Sequence, residues 1–270
     1  MRRSKVLEKL RKGKKASCFK VNLKDAQVTE LASKCGFDCI WVDQEHIGQD
    51  WSVISSHVWA SKSQDVDLMV RVARGSYSDY IRALELDATG ILVPHIMSLQ
   101  DAKDVVHMCR FHPIGRRPID GGNADGGYTM EDFDTYIRQA NAERFLVLQI
   151  EDPEPLEELE EIAQLEGYDM LFFGPGDFSQ GIGTPGDFNN PKIAEARVRI
   201  AQVAAKYGKF AATVGTTDNL HELQEMGYHF VSVGADVVGI KHYCQSIVSK
   251  FTGGVQGKEN PPNTSYIEKN

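Results

Sequence analysis

The sequence predicts a single (β/α)8 barrel, and three observations point there. Eight short apolar runs alternate with longer amphipathic segments over about 250 residues, the rhythm and length of that fold. An open doubly wound sheet usually carries a glycine-rich phosphate loop after its first strand, and neither GxGxxG nor GxxxxGK[ST] occurs here. Ionisable residues recur at the C-terminal ends of the apolar runs, where barrels hold their chemistry.

The first run, ASCFKVN (16–22), contains Lys20 and leads into LKDAQ and the amphipathic DAQVTELASKC. The second, CIWVDQE (39–45), ends in Asp43 and Glu45, with His46 next. The third, DLMVRV (67–72), sets Arg71 inside an apolar strand, and SYSDYIRALELD reads as the helix after it. The fourth, GILVPHI (90–96), carries His95 and precedes the helical SLQDAKDVVHMCR. A long glycine-bearing connection follows, FHPIGRRPIDGGNADGGYTMEDFDTY. It reads as a mobile loop at the active site or at an interface, or else as ordinary surface. The fifth run, FLVLQIE (145–151), ends in Glu151 and is followed by PEPLEELEEIAQLE. The sixth, DMLFFGP (169–175), enters GPGDFSQGIG and presents Asp177. The segment PKIAEARVRIAQVAAKYG closes at Gly208 before the seventh run, KFAATV (209–214). TTDNLHELQEMG closes at Gly227 before the eighth, FVSVGAD (230–236). Both glycines stand where helix C-caps need a left-handed residue. The expected divisions are a barrel over 1–251 and a polar tail over 252–270.

Composition narrows the function classes. A net charge of −8 argues against nucleic acid as the main partner, because phosphate binding needs a basic face. The five cysteines include no CxxC pair and read as reduced thiols. The basic N-terminus lacks the apolar stretch of a signal peptide, and no run is long enough to span a membrane. The expected location is the cytoplasm.

The strand ends suggest chemistry. Glu151 and Asp177 close neighbouring strands, so their carboxylates can converge on a hard divalent cation such as Mg2+ or Mn2+, with Co2+ a further candidate. They can also be two independently solvated groups, or Asp177 a helix cap. Arg71 needs an anionic partner, Asp43 or Glu45, or serves a developing oxyanion. His46 with Asp43 behind it has the make-up of a general base. His95 suits a second acid/base, a substrate contact or a capping role. Lys20 suits a salt bridge, a place in the pocket wall or a Schiff base. The other histidines show no metal-ligand spacing.

Taken together, VDQEH, VRVARG, GILVPHI, LVLQIED and LFFGPGDFSQGIGTPG resemble the metal-dependent pyruvate aldolases of the 4-hydroxy-2-oxoheptanedioate aldolase/citrate lyase family, from about residue 5 to 251. The resemblance implies that Glu151 and Asp177 bind the metal. It implies that Arg71 contacts the keto oxygen of pyruvate, and that His46, backed by Asp43, moves the C4 hydroxyl proton. Gly176 and Asp177 would hold the pyruvate carboxylate through their amides, with Gln149 lining the pocket. An aldehyde would be the second substrate, and the assembly a hexamer with an exchanged C-terminal helix. This sequence departs from the family at Pro118 after Arg117, at Gly176 where Ala or Ser is common, and at His95 where Met is frequent. Lys20 replaces an aromatic residue of some members, and Glu85 and Asp87 stand where Asp and Gly are usual. The altered positions touch the choice of aldehyde, and His95 and Lys20 suggest a polar or anionic one. A decarboxylase of 2-oxo acids, an acyl-CoA lyase, a Schiff-base aldolase and a non-catalytic ligand-binding barrel are the competing readings.

Overall fold

The computed structural model describes residues 1–252, so most of the expected tail lies outside the described residues. Eight parallel strands close a barrel in chain order. They are β1 (Ala16–Val21), β2 (Cys39–Asp43), β3 (Asp67–Arg71), β4 (Gly90–Val93), β5 (Phe145–Ile150), β6 (Met170–Phe173), β7 (Phe210–Gly215) and β8 (Tyr228–Ala235). Each lies within one of the predicted runs or overlaps it closely. Strands β2 to β6 are buried at every position, as parallel strands covered on both faces must be.

Side chains of alternate parity face opposite ways along each strand. Cys39 and Trp41 of β2, Met69 of β3, Leu92 of β4, Val147 of β5 and Phe172 of β6 share the cluster that fills the barrel. Ile40, Val42, Leu68, Val70, Leu148 and Leu171 belong to the cluster between barrel and helices. The same parity carries the inward set one step further, to Asp43, Arg71 and Gln149. Lys20 is likewise in the inward parity of Cys18. The interior is therefore apolar at its base and ionic at its C-terminal mouth.

The helices are α1 (Lys5–Arg11), α2 (Ala26–Lys34), α3 (Trp51–Ser63), α4 (Tyr77–Glu85), α5 (Leu99–Cys109), α6 (Phe133–Glu143), α7 (Leu159–Gln164), α8 (Pro175–Gly181), α9 (Pro191–Lys206), α10 (Leu220–Glu225) and α11 (Asp236–Phe251). None among the described residues is long and apolar enough to cross a membrane. Gly208 (φ +69°) and Gly227 (φ +104°) follow α9 and α10 in the left-handed conformation their positions predict. Helix α1 was not expected. Ser4 caps it, and Val6, Leu7 and Leu10 pack into the barrel cluster from below. Asp67, at the start of β3, accepts from Ser4 Oγ (2.7 Å) and Val6 N (2.9 Å) and fixes the plug.

The long connection after α5 sits at this lower end, not at the mouth of its own barrel. Arg117 Nη2 donates to Asp125 Oδ2 (2.9 Å), and Arg144 Nε donates to Asp125 Oδ1 (2.7 Å). Arg144, immediately before β5, also pairs with Asp87, which precedes β4. The loop is thus tied to strand N-termini, and its reading as an active-site loop of the same protomer is corrected. Asp87 adopts φ +72°, which accounts for glycine being usual at this position in the family it resembles.

Between α2 and α3, Thr29 Oγ1 hydrogen-bonds His57 Nδ1 at 2.7 Å in a buried contact. Burial holds the imidazole below its ordinary pKa, against the charges of Asp236 and Asp25. The unfolded chain binds a proton there at about pH 6.5, so this contribution to stability is present above that pH and lost as pH falls. The melting temperature is expected to drop more steeply from pH 7 to pH 5 in the wild type than in His57→Gln. Equal slopes would remove His57 as a cause.

Candidate active site

The ionic mouth is built on strand ends. Arg71 Nε donates to Asp43 Oδ1 (3.0 Å), Arg71 Nη2 pairs with Asp43 Oδ2, and Arg71 Nη1 lies 3.1 Å from Glu45 Oε2. The β2–β3 register places Asp43 opposite Arg71. Lys20 Nζ reaches Asp43 Oδ2 at 2.9 Å from the other side and lies over the Trp41 ring, 4.6 Å from its centroid. Burial alone would raise the Asp43 pKa, but Arg71 and Lys20 hold its carboxyl well below the usual range. Asp43 is thus a permanent anion that fixes a guanidinium. Two N–H groups of Arg71 donate to Asp43, and Nη1 adds an ion pair with Glu45 that is not a hydrogen bond.

The expected pairing of His46 with Asp43 is not formed. Asp43 meets His46 only through the backbone amide, at 3.5 Å, and its carboxylate is taken by Arg71 and Lys20. The nearest carboxylate to the exposed His46 ring is Glu45, with Nε2 to Oε2 at 3.5 Å. Glu45, which the sequence offered only as a partner for Arg71, is the hub of the mouth. Its Oε1 lies 3.5 Å from His95 Nε2, so one carboxylate sits between two imidazoles.

Glu151 follows β5 and is buried, with 1% of its surface exposed. Gln149 Nε2 donates to its Oε2 and the His95 amide to its Oε1 (3.0 Å). Burial pushes the Glu151 carboxyl up to about 7; Asp177 adds to the rise, while His95 and Arg71 oppose it. Asp177 stands in the first turn of α8. Gly174, just before that turn, is required by close approach. A Cβ there would lie 2.6 Å from Glu151 Oε2 and 2.9 Å from Gln149 Nε2. At Gly176 a Cβ would meet nothing, which leaves open space beside the turn.

His95 occupies φ +50°, a conformation costing about 1–2 kcal/mol for a residue with a side chain. Its surroundings hold it there. Its amide is on Glu151, its carbonyl accepts from Arg74, and its Nδ1 donates to Asp152 Oδ2 at 2.8 Å. Burial favours the neutral ring, yet Asp152, Glu151 and Glu45 outweigh it and raise the His95 pKa. Asp152 carries no signal in the sequence beyond following Glu151.

These groups fit a hard divalent cation. Glu151 and Asp177 are oxygen donors, and the Gly174 turn that leads into Asp177 packs directly on the Glu151 carboxylate. The buried Gln149 Oε1 beside them has no hydrogen-bond partner, an acceptor left for an ion's water or a substrate.

A model of the HpcH/HpaI aldolase/citrate lyase family matches residues 16–242. The chain belongs to this family. Among curated relatives, the hydroxypyruvate/pyruvate aldolase of Roseobacter denitrificans is 29% identical over 237 residues, covering 87% of this chain and 91% of that one. The 2-keto-3-deoxy-L-rhamnonate aldolase of Escherichia coli is 26% identical, covering 93% and 94%. The crystal structure of an HpcH/HpaI aldolase from Desulfitobacterium hafniense superposes with a TM-score of 0.87 at 23% identity, over 95% of this chain and 99% of that one, and shows the barrel. As a family member the chain is an enzyme of the aldolase type, a carbon–carbon lyase that depends on a divalent metal.

Proposed function

We propose that the enzyme cleaves or forms 4-hydroxy-2-oxo acids, with pyruvate as the 2-oxo acid and an aldehyde as its partner. The observation that carries this reading is that Arg71 and Glu151 stand at one mouth, both in reach of Glu45 or His95, with the Gly174 turn that leads into Asp177 packed on Glu151. The donor is taken from the relatives, both of which are named for 2-keto acids.

Glu151 and Asp177 would hold Mg2+ or Mn2+, with Co2+ a further candidate. When bound, such an ion supplies Lewis-acid polarisation of the 2-oxo group. The Gly176 and Asp177 amides hold the pyruvate carboxylate in the open space beside α8. His46 accepts the C4 hydroxyl proton as the C3–C4 bond breaks. The bonding pair moves toward the C2 oxygen, where the Arg71 guanidinium meets the growing charge. A proton delivered to C3 completes pyruvate, and the aldehyde leaves. Gln149 fixes the Glu151 carboxylate. A reducing compartment such as the cytoplasm suits five free cysteines.

The test needs no knowledge of the aldehyde. Incubation with pyruvate and Mg2+ or Mn2+ in D2O is expected to remove the methyl signal from the NMR spectrum, and EDTA to stop the loss. No exchange with any divalent metal would overturn the reading.

Helix α11 supports a homo-oligomer. Ile240, Ile247, Val248 and Phe251 are exposed along it at helical spacing. A second copy of the chain covers this stripe, in the hexamer that the family resemblance implies. Ile240→Glu with Ile247→Glu is expected to yield a smaller species by size-exclusion chromatography with light scattering. An unchanged mass would remove α11 from the interface.

A further inference from the structure

His95 stands where the resemblance leads one to expect an apolar residue, and the structure surrounds it with a frame of polar contacts. Asp152 holds Nδ1 at 2.8 Å. Glu151 and Arg74 hold its amide and carbonyl in a left-handed conformation. Asp101 accepts from Arg74 Nη2 (2.8 Å) and from Met97 N (3.0 Å), which braces the turn behind it. With Nδ1 committed, Nε2 is the ring atom left to face the mouth. It stands 3.5 Å from Glu45 Oε1 and 3.8 Å from Glu151 Oε1, both beyond an ordinary hydrogen bond. The ring keeps 32% of its side-chain surface exposed. A packing histidine would not need three partners, one of them braced by Asp101, to aim one nitrogen at an opening.

We propose that His95, positioned by Asp152, is a specificity-determining residue that reads a hydroxyl next to the carbonyl of the acceptor aldehyde. This rests on the aldolase reading above. His46 and His95 flank the same Glu45 carboxylate, so an acceptor whose first oxygen is at His46 presents its next substituent toward His95. A hydroxyl suits both neighbours: it donates to Glu45 Oε1, and it accepts from or donates to Nε2 according to the ring's protonation. A carboxylate there would meet the Glu45 carboxylate beside the same Nε2 and be repelled by it. An alkyl group would leave Nε2 and Glu45 Oε1 desolvated and unpaired. The substrate class is therefore a neutral α-hydroxy aldehyde, neither an alkyl aldehyde nor a 2-oxo acid aldehyde.

Glycolaldehyde and acetaldehyde differ by that one hydroxyl. Each would be condensed with pyruvate, and kcat/KM compared within one variant so that a general loss of activity cancels. The wild type is expected to prefer glycolaldehyde, and His95→Met to reduce the preference roughly ten- to a hundredfold. His95→Gln, whose amide can donate and accept, should retain part of it, and Asp152→Asn should lose part of it. Glyoxylate should be a poor acceptor throughout. A preference unchanged in His95→Met, or glyoxylate ahead of glycolaldehyde in the wild type, overturns the proposal. Loss of pyruvate methyl exchange in His95→Met as large as its loss of condensation also overturns it, by placing the ring on the donor side. Absence of exchange in the wild type overturns the aldolase reading first, and the two failures are thereby told apart.

Discussion

Glu151→Gln is expected to abolish metal-dependent exchange of the pyruvate methyl protons and to weaken Mn2+ binding measured by calorimetry or electron paramagnetic resonance. Glutamine keeps the shape and the buried position, and it can still accept from the His95 amide. What it removes is one of the two charges that hold the cation. Loss of an outer partner of a metal site costs roughly 10–100-fold, and loss of a ligand itself should exceed that. The cause is confined to the site, because Glu151 makes no contact with the ionic belt below the barrel, and the melting temperature should change little or rise. A rise is physically reasonable. Burial pushes the carboxyl up to about 7, so the metal-free fold gains from a neutral group there. Full exchange with intact Mn2+ affinity in Glu151→Gln would move the metal elsewhere and sink the assignment of this carboxylate.

The barrel was legible because parallel strands covered on both faces read as continuous apolar runs, and eight of them in series leave few topologies. Parity along each run also gave the interior set. Asp43 follows Trp41 and Arg71 follows Met69 in the same inward row, so the sequence already lined up the mouth. Partner choice within the mouth was not legible. Asp43 and Glu45 stand two apart near Arg71, and only the register shows that Asp43 lies opposite it while Glu45 reaches across to both imidazoles. The short spacing to His46 suggested an Asp–His pair, but Arg71 and Lys20 occupy the Asp43 carboxylate. Asp152 was missed because a single acidic residue after a strand is ordinary until a left-handed His95 is set against it. The α1 plug was missed because seven residues with three apolar positions in a basic segment give a weak period, although Ser4 supplied the capping signal. The connection after α5 was misplaced for a related reason. Its glycines suggested mobility, whereas Arg117, Asp125 and Arg144 come together only once β5 is in place.

Asp43→Asn is expected to be the most damaging single change to the fold's ionic layer. The aspartate neutralises two buried cations at once, Lys20 at 2% and Arg71 at 4% exposure. Asparagine can accept hydrogen bonds from one or the other but carries no charge, and its amide hydrogens would point at donors. Removing one partner of a buried ion pair costs about 3–5 kcal/mol, which corresponds to a melting temperature lower by roughly 10 °C in a chain of this size. Pyruvate exchange should fall as well, because the guanidinium loses the two-point contact with Asp43 that aims it. Lys20→Met in the Asp43→Asn background should recover much of the stability. Methionine fills a similar volume against Trp41 and deletes one of the two buried cations that Asp43 had neutralised. Exchange should not recover with it, since Arg71 is still unaimed. The four melting temperatures of that double-mutant cycle isolate the coupling between Lys20 and Asp43. Additive changes would mean that Lys20 is not held by Asp43 and would leave its place in the pocket wall as the surviving reading. Recovery of stability without recovery of exchange would separate the two roles of the aspartate, charge compensation for Lys20 and orientation of Arg71.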